Sequence, residues 1–160
     1  MRGGTLPATL IFAALGLALA FAPPRTRAPA LVLAAGAAFA GLAAATDPSF
    51  AELVYLYCWI CIVAASASVH WRGGVPGWMA AVLAAACGAG AGMVLALTGR
   101  TVNLPLALAG ALVIVPASWL VAAGKGIAVK VGSSWLIAIA LLAAALPLTP
   151  TPGYEPDHME

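Results

Sequence analysis

The chain has 160 residues, 64% hydrophobic and 8% charged, with a mean hydropathy of +1.06 and a formal net charge of +2. Soluble globular chains are about a quarter charged, so these proportions exclude a water-soluble domain. With no run of Lys or Arg they also exclude a nucleic-acid surface. Three cysteines, all in apolar segments, are not a secreted disulfide framework and leave the redox compartment open.

The fold class expected is all-α: a polytopic transmembrane helical bundle of about six spans over residues 1–148, followed by an extended acidic tail at 149–160. The first span reads from Leu6 to Ala22, after Arg2 and before Pro23-Pro24. Its Ala18-Leu19-Ala20 has the form of a signal cleavage site. Cleavage there would leave Arg25 and Arg27 just outside the membrane, the disfavoured side for basic residues, so the run is kept as a span. The second span is expected from about Ala30 to Ala45, stopped by the turn signal Thr46-Asp47-Pro48-Ser49.

The third span, Phe50 to Arg72, is the richest in chemistry. It carries Cys58, Cys61, Tyr55, Tyr57, Glu52 and His70, whereas the other apolar runs are mostly Ala, Leu, Val and Gly. At 100° per residue, Glu52, Tyr55, Trp59, Ser66 and His70 share one arc of roughly 60°. Cys58, Cys61 and Ser68 lie on another, so this helix is expected to touch neighbours on both sides. Glu52 and His70 are about 27 Å apart along a helix and cannot pair; each is read as an interfacial anchor at its own membrane surface.

The fourth span runs from about Trp78 to Leu97. Within it Gly88 and Gly92 form a small-xxx-small motif that Ala84 extends one turn upstream, a pattern that admits a neighbouring backbone at close range. The fifth span is expected from an N-cap at Asn103, with Pro105 in its first turn, to about Ala123, closed by Gly124-Lys125-Gly126. Pro116 falls in its middle and removes the hydrogen bond to the Leu112 carbonyl, which predicts a kink. The sixth span is placed from about Val131 to Leu148, with Lys130 at its mouth and Ser133, Ser134 and Trp135 in its first turns.

Arg25, Arg27, Arg72, Lys125 and Lys130 fall after the first, third and fifth spans, whereas only Arg2 and Arg100 fall on the opposite side. All five acids, Asp47, Glu52, Glu155, Asp157 and Glu160, lie on that opposite side too. The positive-inside rule makes the basic side cytoplasmic and puts both termini outside. The heavy use of Ala, Gly and Pro is that of a GC-rich bacterial genome, so the membrane expected is a bacterial inner membrane.

Cys58 and Cys61 stand one helical turn apart, and Cys87 lies at comparable depth. The three are metal-ligand candidates suited to a soft ion such as Cu(I), whereas the tail Glu155-Pro156-Asp157-His158-Met159-Glu160 offers oxygen and imidazole ligands for a weakly held divalent cation but reads as a solvated acidic tail. Burial in hydrocarbon disfavours thiolates, which favours a packing role for all three. No Asp, Glu, Lys or Arg lies in the central part of a span, where ion-coupled sites usually place one. No facing histidines stand ready for haem, and no set of residues is arranged for hydrolysis.

No cofactor is therefore expected. The function expected is a non-catalytic accessory, structural or assembly subunit. Its partners would be the lipid bilayer and other membrane subunits or a second copy of the chain. The first alternative is a small transporter or channel built on the third to fifth spans. The second is a membrane thiol-disulfide protein using Cys58 and Cys61.

Overall fold

A computed structural model describes residues 6–44, 48–98 and 101–146. Arg2, Asp47, Arg100, the end of the sixth span and the acidic tail lie outside the described residues. Within them the chain is helical, with no strands. The helices are α1 (Leu6–Ala20), α2 (Pro24–Ala43), α3 (Ala51–Ser68), α4 (Gly77–Leu97), α5 (Leu104–Ala109), α6 (Ile114–Ala122) and α7 (Gly126–Ala145). Short 3-10 turns, Pro48–Phe50 and Thr101–Asn103, precede α3 and α5, and a third, Gly110–Val113, joins α5 to α6.

Five stretches are long and apolar enough to cross a membrane: α2, α3 with its leading turn, α4, the broken helix α5–α6, and α7. This is the make-up of a multi-pass membrane protein. The sixth apolar helix, α1, has 15 residues, about 22 Å of helix against a hydrocarbon core of about 30 Å.

Short as it is, α1 is the axis of the bundle. Pro7, Ala8, Ile11, Phe12, Ala14, Leu15, Gly16, Ala18, Leu19 and Ala20 are all buried, and α1 packs against α3, α4, both halves of the broken helix and α7. Neighbours cover α1 on most sides, and only the stripe of Leu6, Thr9, Leu10, Ala13 and Leu17 on one face keeps some exposure. The organising element is thus α1 and not the chemically richer α3. After α1, α4 is the most enclosed, with 56% of its central window buried against 17% for α7. The outer helices present Val, Leu, Ile and Trp side chains on their exposed faces.

Two helices begin earlier than the sequence suggests. Helix α2 starts at Pro24, six residues ahead of Ala30. Pro23 is extended (ψ 139°), Pro24 occupies a first-turn position where its missing N–H costs nothing, and Thr26 Oγ1 donates to the Pro23 carbonyl at 2.8 Å. Pro29 lies inside α2. It withholds one N–H from the Arg25 carbonyl, close to the helix end where water can serve instead. Arg25 and Arg27 therefore stand on helix rather than in a loop.

Helix α7 likewise starts at Gly126, five residues ahead of Val131, which puts Lys130 inside its second turn. The early start follows from a tight stop to α6. Gly124 takes a left-handed φ of +74°, its N–H donates to the Val121 carbonyl and the Lys125 N–H to the Leu120 carbonyl. That double bond pattern is a Schellman stop, which frees the chain to turn back at once. At the other end of the broken helix, Asn103 does occupy the N-cap position, but its side chain makes no cap bond. Its φ and ψ (−88°, 3°) continue the preceding 3-10 turn rather than adopting the extended backbone a capping side chain needs.

Candidate functional site

Chemistry-bearing residues gather at three places: the seams around α4, the seam of α1 with the broken helix, and the basic end of the bundle. On α4 the run Cys87-Gly88-Ala89-Gly90-Ala91-Gly92 divides its glycines between two neighbours. Gly88 and Gly92 face α2, so closely that a Cβ at either would collide with the backbone carbonyls of Ala34 and Ala38 respectively. From the α2 side, a Cβ at Gly41 would lie 2.5 Å from the Ala89 carbonyl.

The four residues buried on α2, Ala30, Ala34, Ala38 and Gly41, form the matching stripe of small side chains. Residue numbers rise together along this contact, so α2 and α4 run parallel. Cα–H groups set against carbonyl oxygens in this way contribute about 0.5–1 kcal/mol each. Ala84 is also fully buried.

Gly90 points the other way, toward α3. The Tyr57 ring lies over it, 3.0 Å from where a Cβ would stand, and the Tyr57 hydroxyl donates to the Ala86 carbonyl at 3.1 Å. Cys58 is beside it, its thiol donating to the Gly90 carbonyl at 3.4 Å. One turn on, the Cys87 thiol reaches toward the Cys61 carbonyl at 4.0 Å. All three cysteines are buried and unpaired. The fold brings them to one α3–α4 seam, but two of the thiols are turned to backbone oxygens. Among the described residues no group of three His, Cys, Asp or Glu is arranged to hold a metal ion.

Packing residues of this kind predict a mild phenotype. The triple change Cys58→Ala, Cys61→Ala, Cys87→Ala is expected to leave folded yield nearly intact, with a modest drop in stability on the order of 1 kcal/mol. Alkylation of the wild-type thiols in intact membranes is expected to be slow. Rapid labelling of Cys58 or Cys61 at neutral pH would contradict the packing role.

Pro116 stands in the first turn of α6, directly after the 3-10 turn Gly110–Val113 that breaks the helix. A proline here leaves the Leu112 carbonyl without its α-helical donor, and the turn before it tightens. The break presses backbone against α1. A Cβ on Gly110 would meet the Thr9 carbonyl at 2.5 Å, and one on Gly16 would meet the Ala111 carbonyl at 2.9 Å. This second close seam was not read from the sequence. Its only trace there is the small residues Ala13, Gly16 and Gly110, unremarkable in so Ala-rich a chain.

The third place is the end where α1, α3 and α6 finish and α2, α4 and α7 begin. The turn Gly73-Gly74, with φ of +93° and +85°, folds the chain back so that the Val75 N–H donates to the Phe21 carbonyl at 3.2 Å. The turn and residues Phe21–Pro23 together line an open cavity of about 440 Å³. Lys130 places its ammonium 5.9 Å from the centre of the Phe21 ring, within cation–π range. Arg25, Arg27, Arg72, Lys125 and Lys130 thus converge on one end, ringed by the exposed Trp71, Trp78 and Trp119. Tryptophans at that level mark a membrane–water interface.

His70 lies at this end, just beyond α3, and Glu52 at the opposite end, in the first turn of α3. The hydroxyls of Ser133 and Ser134 donate to the Lys130 carbonyl at 2.8 and 3.0 Å, and both oxygens lie against His70 Nε2 at 3.2 and 3.4 Å. With the hydroxyl protons so used, the ring proton belongs on Nε2, which donates to the serines and ties α3 to α7.

Arg27, which the sequence gives only as one of the basic residues on the cytoplasmic side, has a structural role. Its Nε donates to the Ala22 carbonyl at 3.1 Å, one terminal nitrogen to the Ala20 carbonyl at 2.9 Å, and the other to Ser118 Oγ at 3.1 Å. A planar guanidinium here serves the last carbonyls of α1, where the helix dipole favours positive charge, and fastens them to α6. No sequence pattern announces this, because the partners are backbone oxygens and a serine 91 positions away. Comparison with protein-family models, with curated proteins and with solved structures finds no match.

Proposed function

We propose that this protein is a non-catalytic integral membrane subunit that packs against, stabilises or helps assemble partner membrane proteins. The observation that carries this reading is where its polar groups go. Tyr57, Cys58, Cys87, Ser133 and Arg27 are each committed to a carbonyl or hydroxyl of the bundle itself. What the bundle offers outward is a broad apolar surface on α2, the broken helix and α7. Such a surface is satisfied by lipid or by other membrane helices. The close glycine seams support a rigid scaffold, because packed backbones leave little room for alternating states.

The membrane is, on this reading, a bacterial inner membrane, with the basic end cytoplasmic and both termini outside. Reporter fusions check the orientation: a cytoplasmic signal is expected in the Arg72–Gly77 turn and a periplasmic one at the C-terminus. A cytoplasmic C-terminus would overturn it.

Extraction of the tagged full chain from its host membrane into native nanodiscs tests the function. Recovery of other membrane chains in fixed ratio is expected. Recovery of this chain alone, together with uptake of a solute by the purified protein in vesicles, would replace the subunit reading with a transporter.

A further inference from the structure

We infer that the basic end holds a specific site for an anionic phospholipid, in the groove between the first turns of α2 and α4, beyond their glycine seam. The groove has a volume of about 180 Å³ and lies between Arg25, Pro29, Ala30 and Leu33 of α2 and Gly77 and Ala81 of α4. It exists because the facing residues on α4 are small, so the two helices approach closely and leave a slot where larger side chains would have filled the space.

The walls are apolar except at the end nearest the helix termini, where Arg25 stands beside Thr26, whose hydroxyl is already bonded to the Pro23 carbonyl. Arg25 is exposed and makes no hydrogen bond or ion pair with the described residues. Arg27, two residues on, is committed to three acceptors. The contrast leaves Arg25 as the group of this pair that is free for a ligand.

Depth identifies the ligand. Trp78 adjoins Gly77 and is 68% exposed, and Trp71 nearby is 59% exposed, so the Arg25 end of the groove sits at headgroup level. From there the groove runs inward past Ala30 toward Leu33, into the hydrocarbon. A molecule with a phosphate at one end and an acyl chain at the other matches both halves. Basic pockets between transmembrane helices are a recognised way of holding such headgroups. The phosphate lies against the Arg25 guanidinium, a planar fork suited to two of its oxygens. The first methylenes of one chain lie against Pro29, Ala30, Leu33 and Ala81. A lipid held there bridges the first turns of α2 and α4, so it ties the stability of their seam to the anionic lipid content of the membrane.

The test uses the full chain in nanodiscs containing equal parts of phosphatidylglycerol and phosphatidylcholine, with retained lipid read by native mass spectrometry. The wild type is expected to keep phosphatidylglycerol preferentially, and to melt at a higher temperature in the mixture than in phosphatidylcholine alone. Arg25→Gln is expected to lower that retention about fivefold and to abolish the rise in melting temperature. Arg25→Lys should keep most of the retention, and Ala81→Leu, which fills the groove with every charge intact, should lower it. Lys125→Gln removes an exposed cation of the same end that does not line the groove, and is expected to change nothing. Equal retention of the two lipids, or an equal loss for Lys125→Gln and Arg25→Gln, would overturn the site. Should Ala81→Leu fail to fold, the comparison of Arg25→Gln, Arg25→Lys and Lys125→Gln decides alone.

Discussion

Replacing Gly92 by leucine is expected to destroy the folded bundle, or to destabilise it by about 3 kcal/mol or more, whereas the same replacement at Gly36 should change little. At Gly92 even a Cβ has no room, since the obstacle is the backbone around Ala38 on α2 and not the end of a side chain that could swing away. The only relief is separation of α2 from α4, which would undo the neighbouring contact of Gly88 with Ala34 as well. Gly36 sits on the outer face of the same pair, with nothing within 4 Å of an added Cβ. Surface changes of that kind stay within about 0.5 kcal/mol. The yield of monodisperse protein in detergent and its melting temperature measure both variants side by side. Equal tolerance at the two glycines would mean that the α2–α4 seam does not hold the fold together.

Arg27→Ala should rank next, with a loss of about 1.5–3 kcal/mol, the range for hydrogen bonds to a charged group. Truncation leaves the Ala20 and Ala22 carbonyls at the end of α1 without their charged donor and cuts the tie to Ser118. Arg27→Lys should recover only part of the loss, because a single ammonium cannot span three acceptors in the geometry of the guanidinium. Ser118→Ala removes one of the three partners and is expected to cost less than Arg27→Ala. Thermal melting of the four proteins in one detergent gives the ranking. If Arg27→Ala melts with the wild type, its hydrogen bonds do not hold the end of α1, which is then held by packing alone.

Both expectations concern features read from the sequence to very different degrees. Gly88 and Gly92 are legible because small-xxx-small spacing has a local geometric meaning: on any helix, residues four apart share a face. What the spacing does not contain is the partner. That α2 supplies Ala34, Ala38 and Gly41, parallel to α4 and not adjacent to it in the chain, is a property of the assembled bundle. Arg27 shows the opposite case. A basic residue near an apolar run reads as an anchor, and its true acceptors are carbonyls that become neighbours only when α1 and α2 fold back on each other.

Long apolar runs, turn residues and the lopsided placement of Lys and Arg carry their meaning in the order of residues alone, because the bilayer imposes length and polarity on every span separately. From them follow the all-helical class, the multi-pass character and the gathering of basic residues at one end. The early starts of α2 and α7 escape that reading, since Pro29 and Lys130 look like boundary residues until the end of each preceding helix is seen to turn so tightly.

Tertiary structure alone decided which helix stands at the centre. Composition points to α3, where the reactive side chains are concentrated. In a bilayer, however, every span is apolar, so hydrophobicity cannot rank them, and the central place goes to the helix the others fold around, with Ile11, Phe12, Leu15 and Leu19 filling the middle of the bundle. That helix is α1, with Gly16 against the broken turn, α3 and α4 along its other flanks, and Arg27 closing its end.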